Sequence, residues 1–206
     1  VDTPLVEAVM RDPERRAEVV AALAEERRGG PGVRVLLHSL AFGTLRPLVG
    51  KDPAAVVTPP QMAMTLDVMA TSLVAWTQAL VAAELLERGA RVFAMTSEGS
   101  SRAWPHYGPV SVAKAALEAA VRQLAVELAP LEATANAIQA GVTDTPAVRR
   151  IPGFERMLEL SRLRNPRGRL TQPEDVAGAL LALAEPGCGW ITGNVIRVDG
   201  GEAIAG

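Results

Sequence analysis

Four short apolar runs punctuate the chain, separated by longer stretches with helical periodicity. Val33-Arg34-Val35-Leu36-Leu37-His38, residues 90–95, residues 134–138 and residues 194–198 read as strands. The first is apolar at successive positions, the mark of a strand covered on both faces. Asp12-Pro13-Glu14 looks like a helix start, with Asp12 as N-cap and proline at the first position. That helix is predicted to run to about Arg28 and to stop at Gly29-Gly30-Pro31-Gly32. Residues 39–58 are irregular. Pro59-Pro60 opens a long helix expected to end near Arg88-Gly89. A helix over 105–129 follows the second strand and is ended by Pro130. Another covers 153–164. Thr171-x-x-Glu174 has the capping-box pattern and opens a helix to about Ala184.

Strands alternating with helices imply right-handed crossovers and a parallel sheet. The expected class is α/β, a doubly wound, Rossmann-like three-layer sandwich. Ligands in such sheets bind beyond the carboxyl ends of the strands. Those ends are Ser39-Leu40-Ala41-Phe42-Gly43, Thr96-Ser97-Glu98-Gly99 and Gln139-Ala140-Gly141-Val142.

Composition adds exclusions. With 206 residues the chain suffices for one domain. A net charge of −2 and no basic stripe argue against nucleic acid. The apolar stretch 62–86 is broken by Asp67, Thr71, Ser72, Gln78 and Glu84, so a buried amphipathic helix is expected there, not a membrane span. Cys188 is the sole cysteine, which fits a reducing, cytoplasmic setting. His38 and His106 are the only histidines, and no cluster supports a metal site. His38 reads as a hydrogen-bonding core residue and His106 as a candidate pocket residue. Trp76 and Trp104 read as packing residues.

The candidate chemistry lies in Tyr107-Gly108-Pro109-Val110-Ser111-Val112-Ala113-Lys114. Lys114 is one of two lysines in a chain that otherwise uses arginine. A spacing of seven is close to two helical turns, so both side chains can reach one face. Pro109 sets the helix start, with Tyr107 just before the first turn. An ammonium near a phenol stabilises the phenolate, so the tyrosine pKa is expected below about 10.

With these residues in hand, the chain resembles the short-chain dehydrogenase/reductase superfamily, and within it the bacterial NADH-dependent enoyl-[acyl-carrier-protein] reductases. His38-Ser39-Leu40-Ala41-Phe42 resembles their segment beside the nicotinamide ribose. The six residues between Tyr107 and Lys114 match their spacing, where most of the superfamily has three. Asn136-Ala137-Ile138-Gln139-Ala140-Gly141 is similar to their nicotinamide-contacting strand and loop. Ile151-Pro152-Gly153-Phe154 and the residues after it resemble their substrate-loop helix. Ile191-Thr192-Gly193-Asn194 and Val198-Asp199-Gly200-Gly201 are shared more widely.

The resemblance implies reduction of an enoyl thioester, on acyl-carrier protein or CoA, with NADH or NADPH in fatty-acid synthesis. It implies Tyr107 on the thioester carbonyl and Lys114 on the nicotinamide ribose. Ser39, Leu40, Thr143 and Thr145 take cofactor-contact positions. It also implies a homotetramer through the long helices. Asp144 and Arg149-Arg150 read as a solvated loop, with an acidic carrier protein as the alternative partner of the two arginines. Two departures stand out. The enoyl reductases carry a second tyrosine seventeen residues before the lysine, and here that position is Ser97. Ketone reductases of the superfamily use a serine there, so Ser97 either binds a carbonyl oxygen or ends its strand. A ketone or aldehyde reductase is therefore the alternative. The second departure is that no Gly-rich phosphate turn occurs: Gly29-Gly30-Pro31-Gly32 precedes a strand, not a helix. The expectation is a single domain over 1–206 without the family's first three strands, with Asp2 as remnant of the acidic residue near the adenine and an N-terminal part ahead of Val1. A non-catalytic paralogue that has lost cofactor binding is the remaining reading.

Overall fold

The computed structural model describes residues 12–27 and 29–205; Asp2 lies outside the described residues. Helix α1, Pro13–Arg27, is capped as the sequence predicts: Asp12 Oδ1 accepts the Glu14 N–H at 2.9 Å and the Arg15 N–H at 3.4 Å. Strand β1 (Val33–His38) follows, then the irregular stretch and α2 (Pro59–Ala82). Strand β2 (Leu86–Thr96) leads into α3 (Gly108–Glu127), β3 (Thr134–Ala140), α4 (Phe154–Arg164), α5 (Pro173–Ala184) and β4 (Val195–Val198). The sheet is wholly parallel in the order β1-β2-β3-β4.

One face of the sheet packs on α2 and α3. Val92, Ala94, Ala135 and Ala137 meet Leu73, Leu80, Leu117 and Val121 in a single cluster. The small alanines let the helices approach closely. The second face is covered by α5 and the chain leading to β4. Arg91 Nη2 donates to the Glu185 carbonyl at 3.2 Å, and Asn136 Nδ2 to the Ile191 carbonyl at 2.7 Å. Helix α2 has the length and apolarity to cross a membrane, but its inner face is core.

Three expectations are corrected. Strand β1 is not covered on both faces: Val35 and Leu37 are 43% and 44% exposed. Among the described residues β1 is the edge strand, and no helix lies over that face. Helix α2 ends at Ala82, not near Gly89. Glu84 takes the left-handed conformation (φ 54°), with its N–H on the Val81 carbonyl and the Leu85 N–H on the Leu80 carbonyl. These two bonds form a Schellman end built on glutamate instead of glycine. Gly89, also left-handed at φ 74°, instead marks an irregularity inside β2, where the register against β1 slips. The cap of α5 is Gln172, one residue beyond Thr171; its N–H donates to Asp175 Oδ2 at 2.8 Å.

Candidate active site

The carboxyl ends of β1, β2 and β3 open into a cavity of about 720 Å³ roofed by α4 and α5. Ser39, Leu40, Ser97, Tyr107, Lys114, Thr143 and Thr145 all line it, so every predicted site residue faces one space.

Tyr107 is positioned by a tight turn. Pro105 and a left-handed His106 (φ 64°) bring the Tyr107 N–H onto the Trp104 carbonyl at 3.1 Å, after which α3 begins. Tyr107 is the N-cap residue of α3, as Pro109 predicts. His106 is exposed in this turn and does not line the cavity. Trp104 does, and its indole N–H reaches the Pro152 carbonyl at 3.4 Å, joining the turn to the start of the α4 loop. Ser111, in the first turn of α3, donates its hydroxyl to the Gly99 carbonyl and so ties α3 to the end of β2.

The expected lowering of the tyrosine pKa is overturned. Burial pushes the Tyr107 phenol above its ordinary value, opposed by a hydrogen bond with the Ser97 side chain. Lys114 is not among the groups that shift the phenol; its ammonium faces backbone carbonyls. Nζ donates to the Met95 carbonyl at 2.6 Å and to the Leu40 carbonyl at 3.2 Å. Burial pulls Lys114 down to about 8, against the attraction of Glu118. Glu118 in turn accepts the Thr96 hydroxyl at 2.6 Å.

His38 is a buried core residue, as expected. Its Nε2 lies 2.8 Å from Ser72 Oγ, and that hydroxyl donates to the Val68 carbonyl at 2.8 Å. The hydroxyl proton is thus used, so the imidazole must be the donor and carry its proton on Nε2. Nδ1 is buried without a partner. Burial and the nearby Lys114 charge lower its pKa to about 4. A π-helical turn over Asp67–Thr71 in α2 places Ser72 beneath His38 and Met69 at the cavity wall.

Of the loop threonines, Thr143 donates to the Gly141 carbonyl at 3.1 Å, and Thr145 accepts the Val148 N–H at 3.2 Å. Arg149 is held by Asp144 through two bonds of 2.8 and 2.9 Å, so it is not a free cation. Unanticipated from the sequence is a charged group in the wall: Arg164 between Glu98 and Glu202. Its members are 66 and 38 residues apart, with no local signal linking them. Among the described residues no three His, Cys, Asp or Glu side chains are grouped to hold a metal ion.

A parallel sheet whose carboxyl ends present a tyrosine at a helix N-cap and a lysine two turns further on to one cavity is the arrangement of the short-chain dehydrogenase/reductase fold. The enoyl-(acyl carrier protein) reductase family model matches residues 2–202. The chain belongs to that family. It is 32% identical over 174 residues to enoyl-[acyl-carrier-protein] reductase [NADH] of Aquifex aeolicus, covering 84% of this chain and 63% of that enzyme. To the Enterococcus faecalis enzyme it is 32% identical over 166 residues, covering 81% and 65%. It therefore spans slightly less than two thirds of those relatives. The crystal structure of the Aquifex aeolicus enzyme superposes with a TM-score of 0.84 at 29% identity, covering 96% of this chain and 74% of the other.

Proposed function

We propose that the protein reduces an enoyl thioester, carried on acyl-carrier protein or CoA, with NADH or NADPH in fatty-acid synthesis or a related pathway. The observation that carries this reading is the convergence of Tyr107, Ser97 and Lys114 on one largely apolar cavity at the strand ends. The relatives' printed activity supports it.

The nicotinamide end suits the residues present. Lys114 uses two of its three N–H groups on carbonyls, and the third is left for a ribose hydroxyl. Ser39, Leu40, Thr143 and Thr145 line the same cavity. The phosphate end has no counterpart among the described residues. Gly32 sits in a turn into β1, where a Cβ would lie 2.3 Å from the Leu85 carbonyl oxygen. When bound, the reduced nicotinamide supplies a hydride to the β-carbon. Tyr107, protonated at neutral pH, donates its hydroxyl hydrogen bond to the thioester oxygen as enolate charge develops there. Ser97 lines the cavity beside the phenol and favours its ionised form, against the effect of burial. The α-carbon then takes a proton, leaving the saturated thioester.

A second reading, reduction of a ketone or aldehyde, is favoured by the serine at position 97, which lines the same cavity as Tyr107. Loss of NADH absorbance separates the two. Consumption with a crotonyl thioester and not with a β-ketoacyl thioester supports the enoyl reading, and the reverse supports the ketone reading. No oxidation and no cofactor binding would make the protein a non-catalytic paralogue. In the enoyl case Tyr107→Phe lowers kcat by about 10² or more while the melting temperature holds; unchanged turnover removes Tyr107 from the reaction. We further assign the protein to the cytoplasm on its single cysteine, and to a homotetramer built on α2 and α3.

A further inference from the structure

One stretch of the cavity wall is charged. Arg164 closes α4, and its Nη2 donates to Glu98 Oε2 and to Glu202 Oε1, each at 3.1 Å. Glu202 is 2% exposed, and its second oxygen accepts the Val142 N–H at 3.1 Å. Glu98 also accepts Arg102 Nη1 at 2.9 Å. All of these residues line the cavity. The carboxylates are therefore supplied with donors, but the guanidinium is not supplied with acceptors. Nε is buried without a partner and Nη1 makes no hydrogen bond. Nε is closed off from any ligand, so the donor that matters is Nη1: a plain alkyl group laid against this wall leaves Nη1 unsatisfied, which is unfavourable. An anionic group meets two carboxylates already balanced by the Arg164 and Arg102 guanidiniums, so it finds no surplus positive charge. An uncharged oxygen acceptor satisfies the donor without adding charge.

We propose that Glu98, Arg164 and Glu202 form a specificity site selecting thioesters whose acyl portion carries an uncharged oxygen, a hydroxyl or carbonyl, over simple alkyl chains. Arg164 supplies the donor, and the two glutamates hold it in place. This rests on the thioester-reductase reading and specifies its substrate class.

Two measurements on the full chain test it. The first is kcat/KM with crotonyl-CoA and γ-hydroxycrotonyl-CoA. The second, which needs no turnover, is calorimetric binding of butyryl-CoA and γ-hydroxybutyryl-CoA. The hydroxylated member is expected to be preferred about tenfold or more in both. Arg164→Met alone would leave two carboxylates facing each other and risks misfolding. The informative variant is Glu98→Leu/Arg164→Met/Glu202→Leu, because a buried ion triad replaced as a unit by apolar residues is commonly tolerated. Its preference should reverse toward the alkyl thioesters. Equal or alkyl-favouring affinities in the unaltered protein, binding of neither CoA ester, or an unchanged preference in the triple variant overturns the proposal. Hydroxyl-selective binding without turnover of any thioester supports this site and refutes the reductase reading instead.

Discussion

Gly99 fixes the position of Tyr107, and its substitution by alanine tests that directly. Gly99 lies in the turn between β2 and α3. A Cβ there would stand 2.4 Å from Tyr107 Cε1, 2.9 Å from Cδ1 and 3.0 Å from Ser97 Oγ. Carbon atoms in contact settle about 3.5 Å apart, so the ring has to retreat by roughly 1 Å. The turn itself is poorly placed to yield. Its carbonyl takes the Ser111 hydroxyl and its N–H donates to Ser97 Oγ at 3.0 Å. Overpacking of this kind costs about 1–3 kcal/mol. At about 2–4 °C per kcal/mol for a domain of this size, the melting temperature falls by roughly 2–12 °C. A reacting group displaced by about 1 Å loses about 10² in rate. Tyr107 is the only tyrosine in the sequence, so alkaline titration of tyrosinate absorbance reads this ring alone. In the unaltered protein the phenol titrates above its ordinary value of about 10. In Gly99→Ala, with the ring pushed toward water, the titration moves back toward that value. Gly178→Ala is the control: this glycine lies inside α5 with nothing within 4 Å of an added Cβ. It should gain about 0.5–1 kcal/mol from helix propensity. A Gly99→Ala protein that melts, titrates and turns over like the unaltered one would refute the claim that this contact sets the ring.

Two further predictions concern the histidines. His38 has a folded pKa of about 4 against 6.5 unfolded, so the folded state binds fewer protons between those values. Stability therefore falls as pH drops through that window, by about 3 kcal/mol once below pH 4. His38→Gln keeps a donor for Ser72 and does not titrate. Its denaturant midpoint should lose that share of the acid dependence, and an unchanged dependence would place the proton uptake elsewhere. His106 sits at φ 64°. A β-branched residue there is strained, so His106→Val should lower stability by about 1–2 kcal/mol while His106→Asn is near neutral in thermal melts.

The legible parts of this chain are those governed by near neighbours. Asp12 before Pro13, Pro109 after Tyr107 and the apolar runs of β2 and β3 each name their structure within a few residues. Misreadings arise where a near neighbour misleads. Gly89 advertises a helix end that Glu84 supplies, and Glu174 advertises a capping box that Asp175 completes one position later. The apolar run of β1 signals burial on two sides, but Val35 and Leu37 have only one covered face between them and their neighbours. The site divides in the same way. That Tyr107, Lys114 and Ser97 share a cavity follows from strand ends and helix phase. Their electrostatics do not, because burial by residues distant in sequence governs both the phenol and the ammonium, and the ammonium's carbonyl partners lie 19 and 74 residues away.

That last difference bears on the chemistry. A lysine that lowered the tyrosine pKa would favour full proton transfer, the requirement when a ketone becomes an alkoxide. A desolvated phenol raised above its ordinary value transfers its proton less readily but remains a hydrogen-bond donor throughout the neutral range. Enoyl reduction asks for the donor: the negative charge on the thioester oxygen is transient and collapses when the α-carbon is protonated, so the phenol need not ionise. Ser97 favours the ionised phenol, but burial outweighs it and the pKa stays above its ordinary value. The Ser97 position resembles the ketone reductases in residue type, but the burial of Tyr107 suits stabilisation of an enolate better than protonation of an alkoxide.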